Sequence, residues 1–153
     1  MRTIWYFIHI AGYTIWIGGA LAAMVLSIAA TREPQESQGT ATRLQTRLYP
    51  TLIGPGAAAS VVSGLILTLE MYNQVTAVGL NHWLMAMQGL GLIAGILVIV
   101  AALPTAAKLS RVDPVADPGV HAGMRQRLMR ISMGANSLAF LALVTGALYR
   151  YAT

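Results

Sequence analysis

Four long apolar runs, separated by short segments that hold nearly all the charge, constrain this chain more than any other feature. They lie at about residues 3 to 29, 51 to 71, 83 to 106 and 131 to 149. At 1.5 Å per residue each run can cross a hydrocarbon core of roughly 30 Å, the fourth with little to spare. Peptide groups in hydrocarbon must pair within their own segment, so runs of this kind become helices. The expected fold is all-α, a single-domain integral membrane four-helix bundle. Composition agrees, since 10% of the 153 residues are charged and 56% are hydrophobic, against roughly 25% charged in a soluble domain. The first run exceeds a signal-peptide core and carries His9, Trp16 and several glycines, so it is read as a span that stays in the protein.

The charges set an expected orientation. Arg32, Arg43 and Arg47 lie between the first two runs, and Lys108, Arg111, Arg125, Arg127 and Arg130 between the last two, whereas only Arg2 and Arg150 lie on the other side. The positive-inside tendency then places both longer connections in the cytoplasm, with the Tyr72 to His82 hairpin and both termini outside. Trp5, Tyr6, Tyr72, Trp83, Tyr149 and Tyr151 fall at the expected outer boundary, where amphipathic rings belong. The net charge of +5 is thus a matter of topology, and the charges form no platform for nucleic acid. The pattern Arg43, Leu44, Arg47, Leu48 suggests that residues 35 to 49 extend the second helix into the cytoplasm. Residues 107 to 128 read as a loop that includes His121, with a short interfacial helix from His121 to Arg130. With no cysteine present, disulfides, thiolate metal sites and iron–sulfur clusters are excluded, so redox chemistry would need a bound cofactor.

Small residues recur along the spans: Gly12, Gly19 and Ala23 in the first, Gly56, Ser60, Gly64 and Thr68 in the second, Gly91 and Gly95 in the third, Gly134 and Gly146 in the fourth. Such faces let backbones approach, and the same faces would clear room for a flat cofactor. Polar groups inside a span are costly unless partnered, which singles out His9, Glu70, His82 and Gln88 in the outer third. His9, the deepest histidine, is expected either as a neutral ring bonded to a carbonyl or to Glu70, or as a haem ligand through its second nitrogen. A thioether from Met85 or Met87 on the third span would complete a haem site. These two stand roughly 200° apart on a helix, so only one can serve. A copper site from His9, His82 and Met85 is the lesser metal alternative. At the other end, Arg130 and Asn136 are expected either to bind lipid phosphate and bond across the bundle, or to form a basic mouth for a porphyrin propionate or an anionic lipid.

The run Phe7-Ile8-His9-Ile10-Ala11-Gly12 followed by Ile15-Trp16-Ile17-Gly18-Gly19 resembles the first helix of the CopD-like membrane proteins, the HemJ-type protoporphyrinogen oxidases and related small four-span proteins. The resemblance is concentrated in residues 7 to 20, where a helical histidine is followed by a tryptophan and a glycine pair. It implies a bacterial inner-membrane protein in which His9, and Trp16 beside it, serve haem b. The third-helix start of the HemJ-type group, a tryptophan and then a histidine and a lysine at two-residue intervals, falls on Trp83, Met85 and Met87, so both polar members are absent. Asn136 corresponds to the fourth-helix asparagine, but Ser137 and Leu138 replace the glutamate and proline expected after it.

Two functions are therefore expected from the sequence. One is a haem-binding or electron-transfer membrane protein resting on His9. The other is a non-enzymatic accessory or structural subunit, in lipid and in contact with further copies or a larger complex. Copper transport is a third expectation that rests on the resemblance alone.

Overall fold

The computed structural model describes residues 2–78 and 82–151, of which 35, 71–78, 150 and 151 by backbone alone, so the side chains of Tyr72, Arg150 and Tyr151 and the tip of the expected hairpin lie outside the description. The elements are α1 (Arg2–Ala30), α2 (Gln35–Leu48), a π-helical turn (Tyr49–Ile53), α3 (Gly54–Val78), α4 (His82–Ile96), a second π-helical turn (Leu97–Ala102), α5 (Leu103–Leu109) and α6 (Pro118–Tyr151). Four helical stretches are long and apolar enough to cross a membrane: Arg2–Ala30, Glu36–Glu70, His82–Leu109 and Pro118–Tyr149. The chain is an all-helical bundle of membrane-spanning type. Its outer surface is apolar, with Phe7, Leu69 and Val100 each about 70% exposed. In water this would be an aggregation surface, and in a bilayer it faces lipid.

One helix boundary follows the expectation and another differs from it. Residues 35 to 48 do extend the second span, and α2, the π turn and α3 run on without a break. The expected short helix at His121 to Arg130 is not separate, because α6 continues from Pro118 through to Tyr151. Pro118 occupies the first helical position, where its missing N–H costs nothing, and no further proline follows it. The π turns adjoin prolines. Pro50 lies within the first and Pro104 follows the second. The Gly54 N–H reaches back to Tyr49 and the Leu103 N–H to Val98, five residues in each case. This wider register absorbs the donors that proline lacks, so neither helix breaks.

Neighbouring spans run antiparallel in a closed ring, and the contacts that fix this are local. Gly12 lies against Gly56 and Ser60, where an added Cβ would come within 3.0 Å of backbone atoms, and Gly19 lies against Ile53. Gly95 leaves room for Val61, while Gly91 and Gly146 of the last two spans face Ala142 and Met87. The tightest pairings are α1 with α3 and α4 with α6, which puts span three diagonally across from span one. The core holds Trp16, Tyr49, Ile53, Val98, Leu109 and Leu128 together with many alanines, the small side chains that close helix approach requires.

Candidate functional site

His9 sits two turns into α1 with its ring over Gly64, where an added Cβ would be 3.0 Å from Cε1. Its Nδ1 is 2.7 Å from the Ser60 carbonyl oxygen and 3.3 Å from Ser63 Oγ. A carbonyl only accepts, so Nδ1 carries the proton and a neutral ring keeps its lone pair on Nε2. Of the two partners expected from sequence, the carbonyl is the one realised. Glu70 is exposed ten residues further along the second span, roughly 15 Å by helical rise.

The other expected site residues do not gather around His9. Trp16 is buried in the core, edge-on to Tyr13 with ring centroids 6.1 Å apart, and its Nε1 has no partner among the described residues. Met85 is exposed, and Met87 turns to Gly146 of α6. Both belong to the span diagonal to His9, an arrangement that matching residues by depth alone does not reveal. Tyr13 Oη donates to the Ala139 carbonyl and fixes the register of α1 against α6. On that register Arg130 lies roughly 20 Å from His9 along the bundle axis. Arg130 is exposed at the basic end, and Asn136 faces a cleft between α1 and α6. His82 is exposed beside Met85, and no group of three or more His, Cys, Asp or Glu occurs among the described residues.

Polar side chains instead tie the ring of helices together. His9 joins α1 to α3, Gln88 Nε2 donates to Thr68 Oγ1 at 2.8 Å and joins α4 to α3, and Tyr13 joins α1 to α6. In membranes such bonds contribute about 0.6 kcal/mol each on average. Overpacking a tight contact costs about 1–3 kcal/mol, so the glycine crossings dominate and the hydrogen bonds select the register.

A second polar cluster, which sequence reasoning missed, lies toward the basic end. Tyr49 Oη and Ser132 Oγ are 2.7 Å apart, and His121, buried on α6, contacts Thr42 Oγ1 at 3.2 Å through Nε2. His121 is thus part of a helix contact and not a loop residue. Arg125 donates from Nη2 to the Ser27 carbonyl at 2.5 Å. This completes the C-terminus of α1, because the N–H groups of Thr31, Arg32 and Glu33 already serve the carbonyls of Ile28, Ala29 and Ala30. A cation there also suits the negative end of the helix dipole. The signal in the sequence was present but weak: small polar residues at the basic ends of spans, and an arginine that counted only as topology.

Between these elements is a cleft of about 30 Å³ lined by Ser27, Gln45, Tyr49, Ser132 and Asn136, with a smaller one of about 10 Å³ beside it. The larger volume suits one or two waters. Neither cleft has room for a porphyrin, and among the described residues Met85 and Met87 do not stand with His9. Comparison with family models, curated proteins and solved structures finds no match to this chain.

Proposed function

We propose that this chain is a non-enzymatic accessory or structural protein of a bacterial inner membrane, with its basic end in the cytoplasm and both termini outside. The observation that carries the reading is that the residues expected at a haem site do not gather and are engaged between helices: the His9 Nδ1–H joins α1 to α3 through the Ser60 carbonyl. Met87 and Trp16 are likewise occupied in packing. Support for a partner comes from span four, where only 17% of the apolar window is buried within the chain. That leaves most of its surface for lipid, a second copy or a larger complex. The test is unfolding in mixed micelles. His9→Ala should lower stability by about 1 kcal/mol, and His9→Gln, which retains an N–H donor, should recover most of the loss. A His9→Ala protein as stable as the parent would remove the packing role.

A second reading, haem-associated and related to the CopD-like and HemJ-type proteins, is favoured by one specific feature. Metal-ligating histidines hold their other N–H on a carbonyl or carboxylate, and His9 does so, with no partner at Nε2 among the described residues. Haem b would then sit against the outside of the α1–α3 pair, bound by His9 alone from this chain. Haem bound there would supply one-electron chemistry, and the residues of this chain would orient the imidazole. Copper transport has no added support, since His82 and Met85 both face outward.

A further inference from the structure

The cleft between α1 and α6 has the chemistry of a binding site independent of His9. Gln45 is 4% exposed and lines it, and its Oε1 has no donor among the described residues. A buried acceptor left unpaired is expensive, so a donor belongs there. The Tyr49–Ser132 pair holds two hydroxyl hydrogens and uses one between them, which leaves one O–H to donate. Among the described residues no charged side chain lines the cleft. A neutral group that both donates and accepts fits there, and a hydroxyl is a small organic group of that kind that a cleft of this volume admits.

The route of entry is also defined. Arg125 on Ser27 closes the α1–α6 seam at the basic end, and Tyr13 on Ala139 closes it at the other. Between these ties Met24 and Met133, both about half exposed, flank the opening toward the lipid-facing side. Methionine adapts its shape to varied apolar ligands. We infer that the α1–α6 cleft binds the hydroxyl group of a membrane-dissolved amphiphile, an alcohol or phenol with an apolar body, which enters laterally between Met24 and Met133 and donates to Gln45. The volume of about 30 Å³ admits the head alone, so the body stays in the bilayer.

Water offers the same hydrogen bonds, and the experiment separates the two sources. The full chain in phosphatidylcholine vesicles is photolabelled with a diazirine derivative of 1-decanol, against competition by 1-decanol or its methyl ether, and labelled residues are mapped by mass spectrometry. Labelling should concentrate at Met24 and Met133, and the alcohol should compete at about tenfold lower concentration than the ether. Gln45→Leu should abolish that difference. If this variant does not fold, the alcohol–ether comparison on the parent protein still decides. Equal competition by alcohol and ether, or labelling spread over all lipid-facing residues, means that water alone fills the cleft and overturns the inference.

Discussion

His9 on α1 and Ser60 on α3 are joined 2.7 Å apart by a ring N–H and a main-chain carbonyl, one turn from the point where Gly12 and Gly56 bring the same two helices into backbone contact. Glycine allows the approach and histidine sets its register. Without the glycines the imidazole could not reach a carbonyl already engaged within its own helix. Without the imidazole the crossing would persist on packing alone.

That ordering predicts a contrast between glycines. Gly56→Ala places a methyl 2.7 Å from the main-chain nitrogen of Trp16 and should destabilise the bundle by about 1–3 kcal/mol. Gly18→Ala meets nothing within 4 Å and should be neutral or stabilise by up to about 1 kcal/mol through helix propensity. Unfolding midpoints in mixed micelles check both, and equal effects would dissolve the assigned crossing.

Gly64 and Leu65 extend the contrast to the histidine. Gly64→Leu would drive a side chain into the His9 ring, whereas Leu65 is about half exposed and Leu65→Ile changes only a lipid-facing surface. Gly64→Leu should lower the unfolding midpoint and Leu65→Ile should leave it within about 0.5 kcal/mol of the parent.

The helix contacts were largely legible in the sequence because small-residue spacing survives translation into three dimensions. Gly12, Gly19, Gly56 and Gly64 all meet a neighbouring helix. The azimuth of each span was not legible. Met87 and His9 share a depth, but nothing in a linear pattern shows that span three stands diagonal to span one. The cluster at Tyr49, Ser132 and Arg125 escaped for a related reason: residues 107 to 128 read as a loop, and only the continuation of α6 from Pro118 brings its first turns against the extended second span.

Arg125 and Arg127 count equally toward topology but not toward stability. Arg125→Leu removes the donor to the Ser27 carbonyl and should cost about 1.5–3 kcal/mol. Arg127 is exposed, so Arg127→Leu should cost at most about 0.5 kcal/mol. Amide exchange at the end of α1 should accelerate in the first variant only, and unchanged exchange there would reject the capping role.

Orientation has its own test, motivated by the eight-to-two division of basic residues between the two sides. Reporters fused at either terminus should behave as non-cytoplasmic, and reporters inserted in residues 112 to 120 as cytoplasmic. The reverse pattern would invert the assignment.

The most direct measurement is the absorption spectrum of the folded protein, purified in detergent from cells supplied with a haem precursor, beside that of His9→Ala. Because Met87 turns to Gly146 and Trp16 is buried in the core, so that neither stands ready beside His9 as a second ligand, a packing role for His9 predicts a colourless protein in both cases. A Soret band of near-stoichiometric intensity in the parent that disappears in His9→Ala would contradict it and make His9 a haem ligand.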